Sequence, residues 1–329
     1  MVALPQFVQI EPVGQCNLRC AMCPVQFRAE SEHGGAPAFM QLDHFMRLVD
    51  EFRMNELHLQ GLGEPLMHPQ FFDMVAYAVR RGIRVSTNTN MTLMTPHRAD
   101  RTVASGLDAL YASIDGAKPA TYAAIRRGGH LGKVLRNLDR VIAARARHGA
   151  SRPAIHIVMV LMRCNLAELP DMVELTALAG ADGLSVQRLC HDFAESSLPR
   201  RYKPMRAFVD EQMLTGDDLP RMESFFAAAR EAAARHRLPL RLPRTAERVE
   251  DRGRPRCDWP WRGAYVSCRG EAMPCCMVST PDRINFGNMA QDGVRAVWNS
   301  EAYDRFREQL AGDRPPEICS SCSVYRGVF

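Results

Sequence analysis

Apolar and polar positions along this chain follow two alternating rhythms. Short runs rich in β-branched residues, bounded by turn residues, read as strands at 7–13 (FVQIEPV), 57–61 (LHLQG), 83–88 (IRVSTN), 109–115 (ALYASID), 154–161 (AIHIVMVL) and 183–189 (GLSVQRL). Between them lie segments with helical spacing. These are LDHFMRLVDEFRM, PQFFDMVAYAVRRG ending at Gly82, a short helix starting near Thr95 and Pro96, helical material to about His148, and a helix from Asn165 to Leu178. Strand–helix alternation of this kind predicts a parallel sheet with crossover helices. Six repeats fall short of a closed eight-unit barrel, so the expected fold is α/β, an open, partial (β/α)6 TIM-like barrel.

The pattern then changes. Residues 190–216 read as a linker or lid, and DDLPRMESFFAAAREAAARHR as a strong helix with Asp217 or Asp218 as its N-cap. The stretch 250–256 (EDRGRPR) reads as a surface connection. From Cys257 onward the chain is a small cysteine-rich module, with two short strands flanking an Arg269-Gly270 turn and two short helices (VRAVWNS and EAYDRFREQL) after them. The expected division is 1–190 for the barrel, 191–250 for linker and helix, and 251–329 for the module.

Composition narrows the chemistry. A net charge of +5 over 329 residues, with no basic tail or tight Lys/Arg run, favours a mildly basic surface over nucleic-acid binding. The opening MVALPQFVQIEPV lacks the features of a signal peptide, and the longest apolar run is too short to span a membrane. The default expectation is a cytoplasmic protein with neither nucleic acid nor membrane as partner. Eleven cysteines are many for such a chain, and they cluster towards its two ends, which points to metal binding rather than disulfides.

The first cluster is GQCNLRCAMCP, with Cys16, Cys20 and Cys23 directly after the first strand, where β/α folds place their ligands. Three thiolates can hold three irons of a four-iron cluster and leave the fourth open. Cys-x3-Cys-x2-Cys in this position resembles the radical S-adenosylmethionine (radical SAM) superfamily. The resemblance extends to GLGEP (61–65), similar to the family's Gly-Gly-Glu-Pro motif but departing at Leu62. It includes STN (86–88), where Thr89 stands in place of a following glycine, and SIDG (113–116). It implies that SAM is held by Gly61, Gly63, Glu64 and Pro65 on its amino side. Asn88, Ser113, Asp115 and Arg126 would serve its ribose or carboxylate, and Met22 and Leu189 would flank the adenine. Glycines at 61 and 63 would let backbone approach the ligand closely.

The second cysteine group resembles the SPASM/twitch extensions of the same superfamily, whose pattern opens Cys-x9–15-Gly-x4-Cys. That resemblance implies one auxiliary [4Fe-4S] cluster on Cys257, Cys275, Cys319 and Cys322, in the short twitch form; a zinc site suits the same four residues. Cys164 and Cys190 read as buried or lid residues without a chemical role. Cys276, directly after Cys275, reads as a spare ligand, a structural residue or a hydrogen-atom donor. The resemblance implies two [4Fe-4S] clusters, SAM as cosubstrate, and an external electron donor such as flavodoxin or ferredoxin. It also implies SAM cleavage to a 5′-deoxyadenosyl radical that abstracts hydrogen from the substrate. Asp258, Glu271 and His191 are candidate bases. The expected substrate is a polar small molecule such as a sugar or aminocyclitol, because the first strand begins near residue 7 and leaves no peptide-binding extension before it. Two-electron dehydrogenation is favoured over epimerisation. Modification of a peptide or protein side chain is the alternative, and a non-catalytic electron-transfer or binding protein a more distant one.

Overall fold

The structure, a computed structural model, describes residues 2–28, 38–189, 193–245, 256–278, 280–320 and 322–328. Six strands alternate with helices as the pattern predicts: β1 (Phe7–Ile10), β2 (Glu56–Leu59), β3 (Arg84–Thr89), β4 (Ala109–Ser113), β5 (Ala154–Leu161) and β6 (Gly183–Arg188). The intervening helices are α1 (Leu42–Phe52), α2 (Phe71–Arg80), α3 (Pro96–Ala104), α4 (Pro119–Ile125), α5 (Leu131–Arg147) and α6 (Leu169–Leu178). All six strands are parallel and lie in chain order, and the sheet does not close on itself. Several strands end before their predicted limits. The residues just past those ends still reach the neighbouring strand, Glu11, Ile114 and Leu189 each donating an amide to it, before the chain turns into its loop.

Beyond β6 come α7 (Lys203–Gln212), α8 (Leu219–His236) and a two-residue strand β7 (Leu240–Arg241), which pairs parallel to β6. Asp218 occupies the N-cap position of α8, as expected, but its carboxylate works one turn earlier. It accepts the Thr215 backbone N–H at 2.9 Å in a capping box and pairs with Arg163. The final segment supplies α9 (Trp259–Arg262), β8 (Gly263–Val266), β9 (Ala272–Met273), α10 (Met289–Asp292), α11 (Val294–Trp298), α12 (Glu301–Ala311) and α13 (Glu317–Ser320). β8 runs parallel to β1 and β9 antiparallel to β8, so one nine-stranded sheet crosses all three segments.

Packing reinforces that continuity. Trp298 is fully buried and its indole N–H donates to the Ala3 carbonyl at 3.0 Å, while the Val2 N–H donates to Asn299 at 2.7 Å. The Arg307 guanidinium lies 4.3 Å from the Trp298 ring centre and 4.2 Å from that of Tyr303, and donates to the Pro260 and Trp298 carbonyls. The Val294 N–H donates to Glu51 of α1 at 2.8 Å. Among the described residues no helix is long and apolar enough to cross a membrane.

Candidate active site

The loop after β1 is held from three sides. The Arg19 and Ala21 amides donate to the Arg127 and Ile125 carbonyls at the end of α4, at 3.0 and 2.8 Å. The Cys23 amide donates to the Cys20 carbonyl at 3.0 Å, turning the loop so that the three thiols sit near one another. Cys20 is buried; Cys16 and Cys23 are half-buried. Burial pushes the Cys16 thiol well up, with Glu64 and the other two thiols adding to it. Burial pushes Cys23 up to about 12, with Cys20 contributing. Burial also raises Cys20, and Arg126 pulls it back, its Nη1 standing 3.9 Å from the Cys20 sulfur. Sulfurs this reluctant to ionise alone become thiolates when a metal supplies positive charge.

The GLGEP turn supports this loop. A Cβ on Gly63 would lie 1.9 Å from the Val13 carbonyl oxygen and 2.7 Å from that of Gln15, so this glycine lets two stretches of protein backbone meet. Gly61 plays the same part against the Glu11 side chain, 2.4 Å from where a Cβ would stand. The expected close approach to a ligand is therefore, at both glycines, an approach to the chain itself. Leu62 is not among the left-handed residues, so nothing demands glycine there, and its amide donates to Glu11 Oε1 at 2.8 Å. Glu64 is buried and committed. It accepts the Thr89 hydroxyl at 2.7 Å, the Asn90 amide at 2.8 Å and the Leu66 amide at 3.2 Å, with Pro65 opening the short 3-10 turn that follows. Thr89 thus replaces the family glycine with a hydroxyl that fixes Glu64.

Asp115 is also a supporting residue. It is fully buried, with one oxygen accepting Arg126 Nε at 2.5 Å and the other the Val160 amide at 2.7 Å. This aims Arg126 at Cys20. Met22 and Leu189 meet in an apolar cluster with Leu18, Cys20, Met162 and Phe193, against which Cys16 and Cys23 pack. Asn88 faces His58 across β3 and β2, and Ser113 ends β4, nearly buried.

Two residues of this site escaped the sequence reading. Glu11 forms a buried pair with Arg28, at 3.0 Å from Nη1 to each oxygen. Asn90 donates to the Cys16 sulfur at 3.6 Å and to Asn17 at 3.0 Å. A charged residue inside an otherwise apolar strand end was the available signal for Glu11.

The second cysteine set also converges. Burial pushes Cys275 well above its ordinary value, with Cys276, Cys322, Cys257 and Cys319 all adding to the shift. Burial raises Cys257 to about 11 and Cys276 to about 12, each with Cys322 contributing. Among the described residues no group of three or more His, Cys, Asp or Glu is arranged to hold a single metal ion, in the first cysteine set or the second. The four thiols influence one another, and the same is true of the set on the first loop.

Of the candidate bases, Asp258 is exposed and pairs with Arg262 at 3.4 Å. Glu271 accepts the Ser267 hydroxyl at 2.9 Å and closes the β8–β9 turn. Both make local contacts within the C-terminal module. His191 and Cys190 lie outside the described residues. Cys164 is exposed rather than buried, while Cys268 is buried with its sulfur 2.9 Å from where a Gly14 Cβ would stand. That contact, with the Glu11 amide donating to the Val266 carbonyl at 2.9 Å, seats the C-terminal module against the first cysteine loop.

Residues 10–176 match the radical SAM superfamily, and residues 257–323 match SPASM, an iron-sulfur cluster-binding domain. The chain is 26% identical to a tungsten-containing aldehyde ferredoxin oxidoreductase cofactor-modifying protein of Pyrococcus furiosus, over 97% of this chain and 87% of that one. It is 30% identical to mycofactocin maturase MftC of Mycobacterium tuberculosis, over 94% and 73% of the two chains. It is 25% identical to the PqqA peptide cyclase of Xanthomonas euvesicatoria pv. vesicatoria, over 97% and 80%. The fold is shared with Streptococcus suis SuiB bound to S-adenosylmethionine, at a TM-score of 0.69 and 13% identity, over 99% of this chain and 72% of that one. Its cofactors are SAM and [4Fe-4S] clusters, and the chain belongs to the radical SAM superfamily, with a C-terminal SPASM domain.

Proposed function

We propose that this enzyme carries out radical C–H chemistry on a peptide or on a maturing cofactor. The observation that carries the reading is the convergence of Cys16, Cys20 and Cys23 on one buried loop, with Arg126 aimed at it and a second thiol set seated against it through β8. The expected sugar or aminocyclitol substrate gives way to the peptide alternative. The relatives reported above are a peptide cyclase, a mycofactocin maturase and a cofactor-modifying protein, and each aligns along most of this chain.

In this reading Cys16, Cys20 and Cys23 hold the SAM-binding cluster, and Cys257, Cys275, Cys319 and Cys322 hold the auxiliary one. When bound, these groups supply reductive cleavage of SAM and removal of a hydrogen atom from an unactivated C–H bond. The chain's own residues exclude water and hold position. Met22, Leu189 and Phe193 seal the apolar side of the first loop. Arg126, fixed by Asp115, presents its guanidinium to a carboxylate, and Asn90 steadies Cys16. Dehydrogenation with the auxiliary cluster as electron acceptor remains the favoured outcome, with Cys276 as hydrogen donor if the outcome is epimerisation. A flavodoxin or ferredoxin in the cytoplasm is the electron source this reading needs.

The test is anaerobic incubation of reconstituted protein with SAM and dithionite. Formation of 5′-deoxyadenosine that disappears when Cys16, Cys20 and Cys23 are all replaced by Ala supports the assignment. Undiminished SAM cleavage in that variant refutes it. A screen of peptides against sugars then follows, and stimulation by sugars alone would restore the small-molecule reading.

A further inference from the structure

The surface behind the first cysteine loop carries one sign of charge. Between Asp115 and Asp139 the chain has no acidic residue, while Lys118, Arg126, Arg127, His130, Lys133 and Arg136 all fall in that stretch. Arg126 is committed to Asp115, and Lys118 reaches Asp171 at 3.9 Å. The other four recur at every third position, from the turn after α4 into the first two turns of α5, and all are exposed. α5 buries Leu131, Val134 and Leu138, so Lys133 and Arg136 stand on its outer side one turn apart. Arg19, on the cysteine loop itself, is exposed next to them, because its amide donates to the Arg127 carbonyl at 3.0 Å.

These charges are unmatched. None of Arg19, Arg127, Lys133 and Arg136 forms an ion pair with a described residue. Elsewhere on the barrel exposed cations have acids beside them: Arg81 with Asp50, Arg101 with Asp73, Arg147 with Asp100. The first turn of α5 holds no acid either, and there the helix dipole disfavours a lysine. The fold gains nothing from that placement, and an acidic partner would.

The same face gives close access to the cysteine loop. The outer positions of α4 are Ala120, Ala123 and Ala124, all exposed and short. The end of α4 grips the loop, with the Ile125 carbonyl accepting the Ala21 amide at 2.8 Å, as Arg127 accepts that of Arg19. A partner resting on those alanines meets no long side chain before that backbone. A small apolar centre beside a cationic stripe suits a brief contact of limited area, the class to which electron-transfer encounters belong. The surface leading to Cys319 is different, with Asp313, Arg314 and Glu317 in mixed sign, and beside Cys257 the Arg262 side chain is paired with Asp258 at 3.4 Å.

We propose that the α4–α5 face docks an acidic protein carrying one electron, of the flavodoxin or ferredoxin kind, and that the electron enters at the first cysteine loop and not through the C-terminal module. The reduced carrier loses one electron and the cluster on Cys16, Cys20 and Cys23 gains it; no proton moves and no bond is made or broken. The proposal rests on the cluster assignment above and adds to it the docking surface and the charge of the donor.

The experiment is fluorescence anisotropy of labelled, oxidised flavodoxin titrated with the reconstituted full chain, with cytochrome c as a basic carrier and a short single-stranded oligonucleotide as a non-protein polyanion. Flavodoxin is expected to bind at about 0.02 M salt and to be released towards about 0.3 M, as screening shortens the reach of the charges. Lys133→Glu/Arg136→Glu should weaken flavodoxin binding about tenfold, whereas Arg295→Glu/Arg314→Glu, the same change of charge placed on the C-terminal module, should alter it less than about twofold. Glutamate suits the first turn of α5, so the first variant should keep its thermal midpoint and its dithionite-driven SAM cleavage. The proposal is overturned if the two variants lose affinity equally, if the module variant loses more, if cytochrome c or the oligonucleotide binds better than flavodoxin, or if flavodoxin does not bind. A chain that cleaves SAM with dithionite and gives any of those results fails this inference alone; one that cleaves no SAM fails the reading beneath it.

Discussion

At the scale of single residues, the family-like motifs prove to be scaffolding: Gly61, Gly63, Glu64, Thr89 and Asp115 are tied to the chain itself. Gly63 tests this most directly. Because a Cβ there would stand 1.9 Å from the Val13 carbonyl oxygen, Gly63→Ala forces the GLGEP turn away from the cysteine loop. A loss of about 1–3 kcal/mol is expected from overpacking alone. Thermal unfolding should show that loss, and iron analysis should show less metal retained by the first site. Retention of both would mean the turn shifts freely. His58 gives a pH test. Its folded pKa, about 4, is depressed by burial, so between that value and its ordinary 6.5 the unfolded chain binds the proton more tightly. The stability it contributes is complete above pH 6.5 and is lost as pH falls towards 4. His58→Gln should flatten that part of the stability–pH curve, and an unchanged slope would place the acid sensitivity elsewhere. The cysteines were legible because spacing and position after a strand suffice to mark them. Asp115 was legible as a motif member but not as the partner that orients Arg126, since that job depends on a residue eleven positions away adopting one rotamer.

At the scale of elements, the strands and most helices follow from periodicity, and the exceptions are instructive. The run 190–216 looks like a linker or lid because the composition changes there. In the structure its described part is not a linker throughout: it holds α7, with Met205 and Val209 buried one turn apart, and before that helix a strap with specific anchors. Glu195 pairs with Arg283 at 2.5 Å with both side chains 4% exposed, Ser196 donates to Glu317 at 2.8 Å through its amide, and the Tyr202 hydroxyl donates to Asp282 at 2.9 Å. Arg283 also lies 4.5 Å from the centre of the Phe193 ring, which belongs to the apolar cluster over the first cysteine loop. Such pairing between distant segments leaves no local mark in sequence. Removing one partner of a buried ion pair costs about 3–5 kcal/mol. Glu195→Gln should therefore loosen the strap, with faster amide exchange at residues 196–202 and little change in α2 and α5. Equal acceleration everywhere would show that the pair supports the whole fold rather than the strap.

At the scale of the whole molecule, the division expected at residues 190 and 250 is crossed by the sheet itself. β7 extends it beyond β6, and β8 extends it beyond β1. Sequence separates these pieces because their composition differs, whereas strand pairing over 250 residues is set by tertiary packing. The consequence is measurable. Ala264 and Val266 of β8 are fully buried in the same core as Val8 and Ile10, and Cys268 packs against the first cysteine loop. Truncation before Cys257 would expose the β1 edge and strip one side of that loop. Such a truncated chain is expected to aggregate and to hold well under one four-iron cluster, although Cys16, Cys20 and Cys23 are all present. Replacing Cys257, Cys275, Cys319 and Cys322 with Ser in the full chain removes the second thiol set and keeps β8 in the sheet. That variant should stay soluble and hold about four irons, against about eight in the parent, if each set carries a four-iron cluster. A truncated chain that is soluble and holds four irons would show that the barrel stands alone and that β8 merely rests on it.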